Sequence, residues 1–357
     1  MLNKRREKVI SIMENMGLDG CIIKGMDNIF YLTGFRGSEA TLLISRGEVF
    51  LLTDFRYITY AKETVKDAQV YEIKKDKDVL RELCMMLEIK RLGFDSAHIT
   101  YNMYERIKNS LKDVEFLPLN EEIEDIRKCK DADEIEVMLE AIEIATNAFK
   151  EIFEEIRPGK TEKEIARTLD YTMERLGADK PSFDTIVASG ERTALPHAKP
   201  TEKKLLAGEP VIIDFGVQKD GYCSDETCTI LLGEVNGKIS EIYKVVNDAR
   251  ALGIEKAKPG MPIKELDMIV RGYIEKTGYG MYFGHGTGHG IGIAVHETPS
   301  INTTSPGILE ENMVITIEPG IYIPHIGGVR LEDMVFIGAT NVKVLTKIRK
   351  DLLTVPI

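Results

Sequence analysis

Four acidic residues lie at the ends of strongly apolar segments in the second half of the chain. Asp214 follows Val-Ile-Ile and Glu318 follows Val-Ile-Thr-Ile, and such short apolar runs are typical of buried strands. Asp225 and Glu332 follow at short distances, each beside a further strand-like segment. A buried carboxylate without a partner is destabilising by several kcal/mol. Because divalent cations neutralise such groups effectively, the pattern predicts a metal cage.

Histidines supply the neutral ligands that such a cage would use. His285, His289 and His296 lie in or just after a glycine-rich segment, residues 284–292, and His197 lies further upstream after Leu-Pro. The glycines indicate backbone in close contact with a neighbour, and the segment lacks the features of a phosphate-binding loop. A single histidine near glycines would be a turn residue, whereas this grouping favours a functional site.

The types of ligand narrow the choice of metal. Four carboxylates and one imidazole without a thiolate favour Mn²⁺, Co²⁺ or Fe²⁺ over a structural zinc ion. Four carboxylates are enough for two ions if some of them bridge. Strand alternation puts Asp225 and Thr227 on one face, so Thr227 is expected to brace that carboxylate.

An internal repeat is expected to bring the acids together. Residues 157–177 and 258–278 share Pro-Gly, a later Lys-Glu-apolar triplet and a closing Gly. The segment around Asp214 is similarly echoed by the one around Glu318, and His197 is echoed by His296. Each half therefore reads as a helix, a loop with His, a strand with an acid, a turn and a second strand with an acid.

Composition excludes several classes of protein. The chain has 357 residues and a net charge of −11, and the acidic balance argues against a nucleic-acid partner. We find no apolar run that could span a membrane and no signal peptide. The five cysteines are scattered without CxxC spacing, which favours a reducing cytoplasm.

The N-terminal part, residues 1–125, mixes helical and strand patterns without a cluster of chemically active residues. Arg46-Gly47-Glu48 is expected to form the turn of a hairpin. Arg91–Asp95 reads as strand ends and turns, and the isolated His98 as a surface or capping residue. Asp133 and Glu136 are expected to form a capping box at the start of a long helix.

The ordered set of predicted ligands resembles the "pita-bread" metallopeptidases, which include methionine aminopeptidase, aminopeptidase P and prolidase. The set is Asp214, Asp225, His289, Glu318 and Glu332. The Gly-rich histidine segment, its following His-Glu and the Glu-Pro-Gly motif are specific to this superfamily, and the resemblance covers essentially the whole chain. Residues 28–35, in an N-terminal domain, point to the Xaa-Pro branch.

The resemblance implies an α/β (α+β) fold with two domains. A creatinase-like domain, residues 1–125, would precede a duplicated pita-bread catalytic domain, residues 126–357, with a curved, mostly antiparallel sheet. Asp214 would chelate one ion, Asp225 and Glu332 would bridge, and His289 and Glu318 would each bind one ion. Mn²⁺ or Co²⁺ would be the metal pair, with Fe²⁺ and Zn²⁺ as alternatives.

Further roles follow from the same resemblance. Glu318 would also take a proton from the attacking hydroxide. His197 and His296 would hydrogen-bond the substrate carbonyl and the oxyanion. His285 and Arg330 would line the side of the site that holds proline.

The implied activity is hydrolysis of the bond between an N-terminal residue and a following proline, by an Xaa-Pro aminopeptidase. The alternative is an Xaa-Pro dipeptidase (prolidase), but residues 298–301 lack an arginine that some dipeptidases carry there. A metal-free creatinase-like hydrolase and a non-catalytic binding module are disfavoured, because all five ligand positions are acidic or histidine. The expected protein is a cytoplasmic homodimer that acts on peptides with proline at the second position.

Overall fold

The computed structural model describes residues 2–74 and 76–356. Contacts divide the chain into two compact units, Met1–Arg127 and Lys128–Ile357. Among the described residues, no helix is both long enough and apolar enough to cross a membrane.

The first unit is a six-stranded mixed sheet with helices, in the strand order β4-β3-β2-β1-β5-β6. Its strands are β1 (Gly20–Ile23), β2 (Ala40–Ser45), β3 (Glu48–Thr53), β4 (Gln69–Glu72), β5 (Arg91–Asp95) and β6 (Glu115–Leu119). Its helices are α1 (Leu2–Met16), α2 (Met26–Thr33), α3 (Ile58–Thr64), α4 (Val79–Met86), α5 (Tyr101–Ser110) and α6 (Glu122–Asp125). Arg46 and Gly47 have φ values of 51° and 80°, so they form the turn of the predicted β2–β3 hairpin.

One strand of this sheet differs from the sequence interpretation. Arg91–Asp95 forms all of β5, which pairs in parallel with β1 and β6, so the prediction of strand ends and turns is wrong. Gly93 suggested a turn, but a Cβ at this position would come within 2.7 Å of Leu18 Cδ1. The glycine therefore allows close packing within a strand instead of ending one.

The second unit contains the two repeated halves. Its helices are α7 (Ala132–Ile152), α8 (Glu162–Arg175), α9 (Gly237–Lys256) and α10 (Ile263–Lys276). Its strands are β7 (Lys180–Pro181), β8 (Ile186–Ser189), β9 (Pro210–Phe215), β10 (Val217–Lys219), β11 (Tyr222–Cys223), β12 (Glu226–Leu232), β13 (Gly288–Gly290), β14 (Glu297–Ile301), β15 (Val314–Ile317), β16 (Gly320–Ile323), β17 (Gly327–Arg330), β18 (Asp333–Ile337), β19 (Val342–Val344) and β20 (Leu353–Val355).

Each half of this unit has the same order of elements. Helices α7 and α8 precede the antiparallel strands β8, β9 and β12, and helices α9 and α10 precede β13, β15 and β18. Helices α8 and α10 have 14 residues each and lie within the two repeat segments. The sheets are mostly antiparallel, β12–β20 being a parallel pair, and the predicted mixed α/β fold class is confirmed.

The helix that opens the second unit is capped two residues earlier than predicted. Asp131 accepts a hydrogen bond from Glu134 N at 3.0 Å, and Glu134 Oε2 accepts one from Asp131 N at 3.0 Å. The predicted pair, Asp133 and Glu136, has the same spacing but lies inside the helix. Glu134 is buried and also accepts a hydrogen bond from the hydroxyl of Tyr222 at 3.1 Å. This bond favours the capping box between Asp131 and Glu134.

Apolar side chains from both helix pairs hold the strands in place. Phe149 of α7 stacks on Phe215 of β9, with ring centroids 5.5 Å apart. Val270 and Ile274 of α10 pack in a cluster with Val329 of β17. Burial of each large apolar side chain is worth roughly 1.5–3 kcal/mol, so these clusters fix the strand ends that carry the acids.

Candidate metal centre

Strand register brings the predicted ligands from both halves to one cavity. Asp214 lies in β9 opposite Thr227 of β12, and Asp225 immediately precedes β12. Glu318 immediately follows β15, while Glu332 lies between β17 and β18. These four acids and His289 of β13 all line a cavity of about 850 Å³.

His289 presents an unprotonated nitrogen to two of the carboxylates. Its Nδ1 lies 3.0 Å from Gly290 O, which can only accept, so Nδ1 carries the proton. Its Nε2 lies 3.4 Å from Glu318 Oε1 and 3.7 Å from Asp225 Oδ2. Burial lowers the pKa of His289 to about 4, so the ring is neutral at pH 7. A lone pair facing carboxylate oxygens is the arrangement that a cation would satisfy.

The four carboxylates outnumber the positive charge beside them, since Arg330 pairs directly with Asp214. Burial raises the pKa of Asp225 and of Glu332, and the neighbouring acids raise both further. Burial likewise raises the pKa of Glu318 to about 8. Oδ1 of Asp214 and Oδ1 of Asp225 are buried without a hydrogen-bond donor. Divalent cations fit this donor set, because they would satisfy the orphan oxygens and favour the ionised acids. Asp225, His289 and Glu332 each place one ligand atom within 4.8 Å of the ligand atoms of the other two.

A hydrogen-bonded pair orients two of the acids. Arg330 is buried, and its Nη2 donates to Asp214 Oδ2 at 2.6 Å while its Nε donates to Thr227 Oγ1 at 3.2 Å. Thr227 Oγ1 in turn donates to Glu332 Oε2 at 2.7 Å. The predicted brace by Thr227 is therefore present, but it acts on Glu332 of the other half and not on Asp225.

The other predicted site histidines also line the cavity. The ring of His296 lies 4.3 Å from that of His289, centroid to centroid, and His197 is exposed in the cavity wall. His285 Nδ1 lies 2.8 Å from Gly286 O, and its Nε2 lies 3.0 Å from the hydroxyl of Tyr322. Burial lowers the pKa of His285 to about 4, so its neutral ring accepts the proton of that hydroxyl.

Tyr322 is a site residue that sequence reasoning missed. Its buried hydroxyl accepts from Arg330 Nη1 at 3.0 Å and connects that guanidinium with His285. The residue lies in β16, whose Gly-Ile-Tyr-Ile sequence reads as an ordinary apolar strand. Only the pairing of β16 with β17 brings its hydroxyl to Arg330, so no local pattern indicates its role.

A second ion pair holds the histidine-bearing loop. Asp267 of α10 accepts from Thr287 N at 3.0 Å and from Thr287 Oγ1 at 2.9 Å. Arg271 donates to Asp267, and its Nη2 donates to His285 O at 2.7 Å. Helix α10 therefore fixes the backbone on both sides of residue 286.

Comparisons with known proteins agree with this geometry. Residues 136–339 match metallopeptidase family M24, and residues 5–129 match the creatinase/prolidase N-terminal domain. A Pyrococcus furiosus protein named Xaa-Pro dipeptidase is 39% identical, with 99% of this chain and 100% of that protein covered.

Solved structures give the same relationship. One named Xaa-Pro dipeptidase, from Bacillus anthracis, has a TM-score of 0.95 and 38% identity, covering 99% of this chain and 100% of that one. An X-Pro aminopeptidase from Thermotoga maritima has a TM-score of 0.88 and 38% identity, covering 95% and 98%. The chain belongs to metallopeptidase family M24 and carries an N-terminal domain of the creatinase/prolidase type.

Proposed function

We propose that the chain hydrolyses the peptide bond between an N-terminal residue and a following proline, with two divalent metal ions, Mn²⁺ or Co²⁺. The observation that carries the proposal is the convergence of four carboxylates and one neutral imidazole in a single cavity. The names of the P. furiosus and B. anthracis relatives support the Xaa-Pro specificity.

In this proposal the ligands are the five predicted residues: Asp214, Asp225, His289, Glu318 and Glu332. When bound, the two ions would polarise the scissile carbonyl and supply a nucleophilic water at neutral pH. Glu318 is suited to hold a proton, since burial raises its pKa to about 8.

The remaining cavity residues would bind and orient the substrate. His197 and His296 would donate to the substrate carbonyl as negative charge develops on its oxygen. His285 would line the proline side, where its ring is held by Tyr322. Among the described residues that line the cavity, Arg330 is the one with a lysine or arginine side chain. Its role would be to hold Asp214 and Tyr322.

The hydrogen bonds of Arg330 within the protein favour an aminopeptidase over a dipeptidase. All three of its nitrogens donate to protein groups, because Nη1 also donates to Pro196 O at 2.9 Å. The free carboxylate of a dipeptide would therefore have to compete with Asp214 for this guanidinium. Prolidase activity remains the alternative, and comparison of Ala-Pro with Ala-Pro-Gly tests it: we expect a higher kcat/KM for the tripeptide.

Replacement of single ligands tests the metal-dependent peptidase. Asp225→Ala and Glu332→Ala should each lower the bound metal per chain and abolish cleavage of an Xaa-Pro peptide. Glu311→Ala, which removes an exposed acid, is the control and should change neither quantity. A chelator should remove activity, and Mn²⁺ or Co²⁺ should restore it. Retention of full metal content and activity by both ligand variants would refute the proposal.

The proposal extends to the setting of the enzyme. We assign it to the cytoplasm as a homodimer, with residues 1–125 and 126–357 as its functional domains. None of the five cysteines, all of which lie within the described residues, forms a disulfide bond, which accords with a reducing compartment. Analytical ultracentrifugation of the purified protein tests the dimer.

A further inference from the structure

We infer that Asp95, His98 and Glu124 form a separate binding site for a divalent transition-metal ion in the first unit. His98 Nδ1 lies 2.9 Å from Asp95 Oδ1 and 3.5 Å from Glu124 Oε1. Without an ion this nitrogen donates its proton to the Asp95 carboxylate, and a bound ion would replace that proton. One ligand atom from each residue lies within 4.8 Å of the other two. The sequence indicated no active cluster here and an isolated His98, because the three residues meet only in the folded unit.

Three elements bring these residues together. Asp95 ends β5, His98 lies in the turn that follows, and Glu124 lies on α6. The imidazole packs against Gly25, where a Cβ would come within 2.7 Å of the ring. Asp95 Oδ2 also accepts from Gly25 N at 2.9 Å. The imidazole and the Asp95 carboxylate are thus fixed in place before any ion arrives, which lowers the entropic cost of binding.

Buried acceptors without a donor, at and beside the cluster, are the independent sign of a cation site. Oε2 of Glu124 is buried without a hydrogen-bond donor. Asn28 is fully buried, donates from Nδ2 to Glu124 Oε1 at 3.1 Å, and leaves its own Oδ1 without a donor. Buried acceptors are normally satisfied, so two orphans on adjoining side chains call for a positive group. Asp214 and Asp225 show the same feature in the catalytic cavity.

Distances and donor types define the ion. Separations of 2.9 and 3.5 Å between ligand atoms suit bonds of about 2.1 Å that meet at roughly 90–110°. One imidazole and two carboxylates without a thiolate suit Co²⁺, Zn²⁺ or Mn²⁺. The side chain of His98 is 40% exposed while that of Asp95 is 0% exposed, so the cluster has an open side for entry and for water ligands.

The expected effect of the ion is structural. It would join α6 to β5 and to the turn after β5, which α5 and β6 separate from α6 in the sequence. It would bind only the folded unit. Such binding raises the stability of the folded state in proportion to the logarithm of ion concentration. Because the ligands lie outside the catalytic cavity, loss of this ion should leave peptidase turnover unchanged.

Equilibrium dialysis of the full chain against Co²⁺ tests the site. His98→Ala and Glu124→Gln should each bind one ion per chain fewer than the unmodified protein at saturation, with unchanged kcat on an Xaa-Pro peptide. The matched control is Glu115→Gln, since Glu115 is an exposed acid of the same unit that pairs with Arg91. Asp95 is unsuitable for replacement because it also accepts from Lys24 N and Gly25 N.

A second measurement keeps the test decisive if one variant misfolds. The chain with Asp225→Ala and Glu332→Ala should retain one Co²⁺ whose visible absorption reports nitrogen and oxygen ligands. Addition of His98→Ala to that chain should remove this absorption. Equal Co²⁺ binding by the unmodified protein, His98→Ala and Glu124→Gln would overturn the inference, whatever the catalytic cavity binds.

Discussion

At the scale of single residues, the cavity proposed to bind the metal ions contains side chains that orient the carboxylates as well as the carboxylates themselves. Thr227 holds Glu332 through a bond of 2.7 Å and is itself held by Arg330. Loss of a group that orients a metal-binding carboxylate commonly lowers metal affinity as strongly as loss of a weak ligand does. The hydroxyl of Thr227 is therefore part of the site even though it would touch no ion.

Thr227→Val should weaken Mn²⁺ binding by about 10–100-fold, because Glu332 loses the donor that fixes its carboxylate. Activity should return at high Mn²⁺ concentration, since every ligand is still present. Calorimetric titration of the metal-free protein measures the affinity.

Thr229→Val is the matched control for that experiment. Thr229 lies two residues further along the same strand, and its hydroxyl hydrogen-bonds to the backbone of Arg330. The control should lower thermal stability without lowering Mn²⁺ affinity. Equal affinity loss in both variants would show that Thr227 acts only through general stability.

Residue types alone predicted the acids that the structure brings to one cavity, and the reason is local. An acid at the end of an apolar run stands out from its immediate neighbours in the sequence, so Asp214 and Glu318 could be recognised without a structure. Tyr322, Asp267 and Arg271 lie in ordinary strand and helix patterns, and their partners are set by tertiary packing. Thr227 was recognised but assigned to the wrong acid, because the pairing of β12 with the segment before β18 is not visible along the chain.

At the scale of elements, the histidine strand β13 can approach β15 closely because a glycine, Gly288, precedes His289. A Cβ on Gly288 would lie 2.0 Å from Thr316 O, well inside van der Waals contact. His289 N also donates to Thr316 Oγ1 at 3.0 Å, so this close approach sets the position of the imidazole.

Gly288→Ala should therefore cost about 3 kcal/mol or more in the free energy of unfolding and lower the metal content. Gly284→Ala is the control in the same loop, because no atom lies within 4 Å of a Cβ there. Urea denaturation of both variants gives the two free energies. Similar values for the two would mean that β13 can shift without loss.

The ion pair of α10 acts on the same loop from the other side. Asp267→Asn leaves the Arg271 guanidinium without its charged partner and should cost ~3 kcal/mol. The loop that carries His285 and His289 should loosen, so Mn²⁺ affinity should fall as well. Asp248→Asn, which affects an acid bonded only to the hydroxyl of Tyr273, should have a smaller effect on both quantities.

At the scale of the whole molecule, the repeat made the architecture of the second unit predictable. Two copies of a helix followed by acid-bearing strands appear at nearly constant offsets, and the same order of elements is observed. The first unit was less predictable, because β5 contains a glycine whose contact with Leu18 is long-range. The cluster of Asp95, His98 and Glu124 was missed for the same reason.

Metal removal should make the stability of the protein strongly dependent on pH. In the metal-free protein burial raises the pKa of Glu318 from 4.5 to about 8, so the folded state holds a proton that the unfolded state loses. Stability of the metal-free protein should therefore fall as pH rises towards about 8. The lowered pKa values of His285 and His289 act in the opposite sense only below 6.5.

Scanning calorimetry with Mn²⁺ and with chelator measures this effect. Between pH 6.5 and about 8, the difference in Tm between the loaded and metal-free protein should widen with pH. Binding of Mn²⁺ in that range should also release protons, because the ligand acids ionise. A constant difference in Tm across the range would contradict the assignment of the proton to the ligand acids.

The order of the predicted ligands along the chain has a consequence for biosynthesis. Asp214 and Asp225 belong to the first half, and His289, Glu318 and Glu332 to the second, so neither half can enclose the ions alone. A ribosome must translate beyond residue 332 before the final carboxylate exists. Metal capture would therefore be a late event in synthesis. A chain whose synthesis stopped between the halves would carry Asp214 and Asp225 without the other predicted ligands, and it could not enclose the ions.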